Sequence, residues 1–143
     1  MSAKLSLHTE GFEKLRLASI QPGDVFLGEL EGVDHEKFFV IAGVSGDRVL
    51  CCSVLINSKI NPFIKKRPHM LERQLELLAT DYEFLSHDSY VNCAQPLKSK
   101  LEFFASTGYR YRGSLKEEDV KTIKDFLITS GQLSQEEIEL YFS

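Results

Sequence analysis

Short runs of apolar residues, separated by polar and turn-forming residues, occupy the first two-thirds of the chain. Runs of this length, whose side chains alternate between two faces, are typical of β-strands. The pattern predicts strands over residues 25–30, 37–44, 48–56, 82–85 and 90–97. The run over 48–56 is apolar on both faces, as expected of a central strand that is covered on both sides.

Turn-forming residues separate these predicted strands. Residues 21–24 (Gln-Pro-Gly-Asp) predict a turn before the first strand, and residues 45–47 (Ser-Gly-Asp) predict a hairpin turn. Residues 57–69 break the pattern and predict a long loop, which in a compact domain is more often functional than average. The ambiguous segments are 70–78, which fits a helix or a strand, and the aromatic runs 101–104 and 109–112, which are candidate edge strands.

Helical patterns stand at the two ends of the chain. Residues 9–19 predict a short helix, with Phe12, Leu15 and Leu17 facing inward. The sequence from Ser114 to Glu117 is a capping-box pattern, followed by one apolar helical face of Val120, Ile123, Phe126 and Leu127. Gly131 is a stop signal, and Ser134 begins a second, shorter helix that ends at 141–142. The order of elements predicts one mainly β (α+β) domain over residues 1–143: a small, strongly bent β-barrel capped by a C-terminal helix.

Composition indicates a globular, cytoplasmic protein. The chain has 143 residues and a net charge of −4, with no apolar stretch long enough for a membrane span and no signal-peptide core at its N-terminus. Cys51, Cys52 and Cys93 are an odd set, and adjacent strand residues point to opposite faces, so we expect three reduced thiols. No motif for a metal or another cofactor is found, and none is expected.

Positive charge is concentrated in two segments of this acidic chain. Residues 59–73 and 98–112 are both rich in Lys and Arg, and such segments either form a solvated loop or bind an anion locally. In the loop 34–37 (Asp-His-Glu-Lys), His35 is either a solvated residue or a group that moves a proton or binds a phosphate, because imidazole titrates near neutrality.

The order of these features resembles the MazF/PemK (Kid) toxin family. The matching segments are 22–30 (the opening strand), 35–36 (a polar loop), 37–44 (the second strand), 53–58 (a strand end), 93–96 (the signature Cys-x-Gln-Pro) and 113–117 (the entry to a closing helix). The resemblance covers residues 21–128 and leaves 1–20 and 129–143 as additional terminal segments. It implies an SH3-like β-barrel with a C-terminal helix, usually a homodimer. It also implies a metal-independent endoribonuclease that acts on single-stranded RNA and is held inactive by an antitoxin.

The residues that carry this chemistry match only in part. The family has Arg before the signature Cys and Asp after it, where this sequence has Asn92 and Ala94. Under the enzyme hypothesis His35 is the general acid or base, while Asn92 and Ser58 position the phosphate. The other anion-binding candidates are Lys65, Lys66 and Arg67, which would hold the RNA backbone. Lys98, Arg67 or Lys37 would supply a cation from a neighbouring position. The alternative is a non-catalytic module on the same barrel that binds a protein partner or nucleic acid through residues 57–69.

Overall fold

The chain folds as a mainly β structure with helices at both ends. The computed structural model describes residues 2–30, 35–106 and 108–143, with side chains described from residue 11 onwards within those ranges. The strands are β1 (Asp24–Glu29), β2 (Glu36–Val44), β3 (Leu50–Asn57), β4 (Gln74–Leu77), β5 (Ser89–Lys100) and β6 (Arg110–Ser114). The helices are α1 (Ser2–Ser19), α2 (Pro62–Lys65), α3 (Pro68–Leu71), α4 (Glu102–Ala105), α5 (Glu117–Thr129) and α6 (Gln135–Phe142).

The strands form one six-stranded antiparallel sheet in the order β4-β5-β3-β2-β1-β6. The sheet curls into a half-barrel, and the predicted fold class, with its small barrel-like sheet and C-terminal helix, is confirmed. β3 lies in the middle of the sheet and is buried along most of its length, as the doubly apolar run over 48–56 predicted.

Hydrophobic cores cover both faces of the sheet. The first core packs β2, β3 and β5 against α5 and α6, through residues such as Val54, Ile123 and Tyr141. The second packs the other face against α4 and the end of α1, through residues such as Phe39 and Phe104. The neighbouring thiols Cys51 and Cys52 point into opposite cores, because successive side chains of a strand alternate. All three cysteines are buried and free, as predicted.

Strand β5 contains a pronounced bulge. Ser53 of β3 pairs with Leu97, but Leu55, two residues further along β3, pairs with Asn92. β5 therefore advances by five residues where β3 advances by two, and residues 93–96 bend away from regular pairing. The predicted strand over 90–97 exists, but it extends over 89–100 and bends at the signature sequence.

The N-terminal helix differs from its prediction. It begins at Ser2 rather than near residue 9, and Phe12 and Leu15 are 60% and 71% exposed, so the inward orientation predicted for them is wrong. Leu17 packs against the second core, as predicted. The end of the helix is held by Arg48, whose guanidinium donates hydrogen bonds to the carbonyls of Leu17 and Ile20 at 2.9 and 2.6 Å. α1 thus joins the fold through its last turn.

Three other local predictions are wrong. Tyr82 and Leu85 do not form a strand but close a turn, in which the Leu85 amide donates to the Tyr82 carbonyl and both side chains enter the first core. Residues 102–105 form α4, because a helical turn directs Phe104 into the second core. Ser114 does not cap α5: it ends β6 and donates to the Asp24 carboxylate at 2.7 Å, and the N-cap is Lys116.

Several other local signals are confirmed, although β3 begins at Leu50 rather than at residue 48. Residues 70–78 contain both a helix and a strand, the two structures predicted as alternatives, since α3 ends at Leu71 and β4 begins at Gln74. Residues 110–114 form an edge strand. Gly131 adopts a φ of +77° just after α5. Ser134 and Glu137 form a complete capping box at the start of α6. Within the described part of the chain, no helix combines the length and the apolar character needed to cross a bilayer.

Candidate nucleic-acid interface

A groove of about 710 Å³ opens at the end of the sheet where β2 begins and β3 ends. Its walls come from the last residues of β3, the segment 58–65 and the start of β5. Three lysines line this groove, Lys37, Lys59 and Lys65, together with the side chains of Asn57, Ser58, Asn61, Tyr90 and Gln95. We call it the basic groove, because none of the described residues that line it carries a carboxylate.

Strand pairing fixes the position of Lys37. The register of β2 with β3 pairs Phe38 with Ile56, which brings Lys37 opposite Asn57. The Lys37 Nζ donates a hydrogen bond to the Asn57 Oδ1 at 2.9 Å. A lysine that is held in this way keeps its charge directed at the groove, and less side-chain entropy is lost when an anion binds.

The short helix α2 positions Lys65. The Asn61 Oδ1 accepts a hydrogen bond from the Phe63 amide at 2.7 Å, and Pro62 occupies the first turn, where its missing N–H costs nothing. Ile64 is 3% exposed and anchors the helix, so that Lys65 lies at the edge of the basic groove. The loop predicted over 57–69 therefore contains ordered helical turns that present its charges.

An aromatic platform stands beside this helix. Phe63, between two groove-lining residues, is 49% exposed, and the Arg67 guanidinium carbon lies 3.5 Å from the centre of its ring. The same guanidinium donates to the Phe63 carbonyl at 2.8 Å. A stacked arginine on an exposed ring offers both a positive charge and a flat surface, which are the features that unpaired bases and phosphates recognise.

Asn92 lies at the floor of the basic groove, but its polar atoms are already occupied. Its Oδ1 accepts hydrogen bonds from Gln74 Nε2 at 2.9 Å and from the Ala94 amide at 3.2 Å, and its Nδ2 donates to Gln95 Oε1 at 2.9 Å. Asn92 is 6% exposed and Ala94 is 4% exposed. At the positions where the toxin family carries charges, this chain has an asparagine that holds the β5 bulge and a buried methyl group.

A smaller cleft of about 150 Å³ lies on the opposite face of the same end of the sheet. His35 and His87 both line it, and it shares Lys37 and Ser58 with the basic groove. We call it the histidine cleft. Its acidic residue, Glu36, receives two hydrogen bonds from the Arg110 guanidinium, at 2.8 and 3.0 Å, and this ion pair offsets its charge.

The structure brings only some of the predicted site residues together. Ser58 and Lys65 line the basic groove, and His35 lines the histidine cleft, whereas Lys66 is exposed outside both. Lys98 lies elsewhere, in an ion pair with Glu137 of α6 at 2.6 Å. Asp34 of the loop containing His35 lies outside the described residues.

Several residues of the groove and the cleft have little or no local signal in the sequence that would mark them as site residues. Lys59 follows the predicted Ser58 directly, so a basic residue at a strand end was a usable signal. Lys37 and Tyr90 belong to the site only because their strands both pair with β3 around Asn57, and no local pattern reveals such pairing. The sequence indicated a functional role for His87 only weakly, as a polar residue just before a predicted strand.

The thiols do not contribute to this surface. Burial raises the pKa of Cys93 to about 12, and also that of Cys52, so both remain protonated at physiological pH. Cys93, the conspicuous residue of the signature, packs in the first core. Cys93 therefore serves to pack β5 against the first core.

No protein-family model matches the chain, and no curated protein matches it at a significant level.

Proposed function

We propose that this protein binds single-stranded RNA in the basic groove. The observation that carries the proposal is the convergence of Lys37, Lys59 and Lys65 on one open groove, in a chain whose net charge is −4. In an acidic protein, a groove lined by lysines and by no described carboxylate favours a polyanion locally while the rest of the surface repels it.

The neutral side chains of the groove favour an unpaired strand over a duplex. Tyr90 and the platform of Phe63 and Arg67 provide surfaces on which exposed bases can stack. The amide oxygens of Asn61 and Gln95 are engaged within the protein, but their NH2 groups can donate hydrogen bonds to base edges, which are accessible in single strands. Bound phosphates would lie against the lysines and bases against the amide and aromatic groups.

The resemblance to the MazF/PemK toxins extends the proposal to a biological setting. In that setting the protein acts as a homodimer in a toxin–antitoxin type system, and an acidic antitoxin segment competes with RNA for the basic groove. Electrostatic complementarity between such a segment and the lysines supports this partner.

A direct test measures binding of a short fluorescent single-stranded RNA by anisotropy over a range of salt concentrations. Lys59→Ala and Lys65→Ala should each weaken binding, and each should reduce the slope of log K against log salt by about 0.7, the value for one lost phosphate contact. Lys124→Ala, which removes an exposed lysine of α5, is the matched control and should change neither quantity. Unchanged affinity in both groove variants, or an equal loss in the control, would overturn the proposal.

A second candidate function, RNA cleavage, is favoured by one observation. His35 lines a cleft that shares Lys37 and Ser58 with the basic groove, so an acid–base group lies next to the surface proposed for RNA. If the protein is a metal-independent endoribonuclease, it should cut long single-stranded RNA in the presence of a chelator, and His35→Ala should abolish the cutting while RNA binding persists. Intact RNA at high protein concentration would leave the binding function and exclude cleavage.

A further inference from the structure

We propose that the histidine cleft is a phosphate-binding subsite. The proposal rests on the proposed RNA-binding function, which it extends: the strand in the basic groove continues around the end of the sheet and places a backbone phosphate in the cleft. The two sites lie on opposite faces of the sheet and meet at Lys37 and Ser58.

Lys37 is suited to guide the strand from one site to the other. It lines both of them, and its Nζ is held by Asn57 at the last residue of β3. The crossing point is the end of β3, so a strand that leaves the basic groove passes over Ser58, whose hydroxyl can donate to a phosphate oxygen.

The polar side of the cleft is held in place by the segment that enters β5. The Ser86 Oγ lies 2.9 Å from Nδ1 of His87, and the Ser89 hydroxyl donates to the His87 carbonyl at 3.0 Å. With Nδ1 engaged by Ser86, we assign the other ring nitrogen of His87, Nε2, to the phosphate. Phe38, Ile56 and Leu85 form the apolar wall, and an apolar wall strengthens the attraction between a cation and a phosphate.

The charged groups described around the two histidines favour an anion. From β2 the cleft receives Glu36, paired with Arg110 of β6, and Lys37. From the loop before β5 comes His87, followed by Asp88, whose carboxylate accepts a hydrogen bond from the Ala79 amide at 2.8 Å. With Glu36 offset by Arg110, Lys37 supplies positive charge to the cleft, and an imidazole N–H can donate to a phosphate oxygen.

This assignment differs from an acid–base role for His35 alone. It requires both histidines to act in binding, and it predicts that replacing either one weakens the binding of phosphate and of RNA. Hydrogen bonds from imidazole N–H groups to phosphate oxygens are the interactions that would be lost.

The test follows the imidazole C–H resonances of the intact protein by NMR. Inorganic phosphate, and separately a short single-stranded RNA, are added at one constant pH. Resonances of His35 and His87 should shift as phosphate is added, and again as RNA is added. His69 is the internal control, because its Nε2 lies 2.9 Å from the Ser130 carbonyl, at the C-terminal end of α5, and it should not respond.

Two variants separate this proposal from the RNA-binding function itself. His87→Gln and His35→Gln should each weaken RNA binding by roughly fivefold, the effect of losing one hydrogen bond. Unchanged RNA affinity in both variants, or phosphate shifts as large in His69 as in the cleft histidines, would overturn the subsite. If the variants bind RNA like the wild type, the basic groove binds RNA without help from the cleft. If phosphate shifts the cleft histidines but RNA does not bind, the RNA-binding function fails and the phosphate site stands.

Discussion

Gln74 of β4 donates a hydrogen bond from its Nε2 to the Oδ1 of Asn92 in β5, at 2.9 Å, directly behind the basic groove. The two residues are register partners, and the same Oδ1 also accepts from the Ala94 amide inside the bulge. Asn92 therefore joins the edge strand β4 to the bend of β5. A polar side chain in a buried strand is here part of the scaffold that shapes the groove.

Asn92→Ala should destabilise the protein by about 1–3 kcal/mol, because it leaves the buried Ala94 amide and the partly buried Gln74 amide without their acceptor. Urea unfolding of the wild type, Asn92→Ala, Gln74→Ala and the double variant measures the coupling of the pair. The double variant should lose less stability than the sum of the two single changes. Additive losses, or an Asn92→Ala protein as stable as the wild type, would contradict a structural role for this residue.

Tyr82→Phe should loosen the segment that carries His87. The Tyr82 hydroxyl donates to Asp119 of α5 and accepts from the Lys116 amide at 3.0 Å, and burial raises the pKa of Tyr82 above its ordinary range. Loss of these bonds should cost about 1–3 kcal/mol in urea unfolding. It should also speed amide exchange over residues 79–88. The exposed Tyr111 offers the control Tyr111→Phe, for which we expect a change within about 0.5 kcal/mol. Equal effects of the two substitutions would argue against this tether.

The cysteines should resist thiol reagents while the protein is folded. Burial raises the pKa of Cys52 and of Cys93 to about 12 and also raises that of Cys51, so few thiolates form at mildly alkaline pH. Alkylation followed by mass spectrometry should find unmodified native protein and full modification in urea. Val49→Cys, at a position that is 51% exposed, supplies a thiol that should react at once. Rapid modification of the native wild type would contradict the buried placement.

The ion pair between Lys98 and Glu137 should make stability depend on pH at both extremes. The hydrogen bond from Lys98 lowers the pKa of Glu137, with a further contribution from the Ser134 amide, and the same pair raises the pKa of Lys98. The Glu137 contribution is therefore present above the ordinary glutamate pKa of about 4.3 and is lost as pH falls below it. The Lys98 contribution is present below about pH 10.4, the ordinary lysine pKa, and is lost as pH rises through its elevated value.

Thermal unfolding of Glu137→Gln tests this dependence, since glutamine can still accept the capping bond from the Ser134 amide. The melting temperature of the variant should lie below that of the wild type near neutral pH and approach it in acid. A difference of constant size from neutral to acidic pH would show that the ion pair is not its source.

Local chemistry accounts for the parts of the fold that the sequence predicted well. The turn at 45–47, the glycine at 131 and the capping box at Ser134 each depend on interactions within a few residues. The adjacent side chains are therefore enough to predict them. The helical prediction for Phe12 and Leu15 failed because periodicity gives the faces of a helix but not which of them meets the sheet.

The sequence by itself determined a β-rich chain with reduced, buried thiols, a C-terminal helical pair and a basic segment after the third strand. Only the tertiary structure decided that Asn92 holds a bulge, that Lys37 joins Lys59 and Lys65, and that His35 and His87 line one cleft. Turns and helix caps follow from the nearest residues in sequence. The meeting of side chains from β2, β3 and β5 depends on strand register, and a bulge at residues 93–96 shifts that register in a way that no local pattern records.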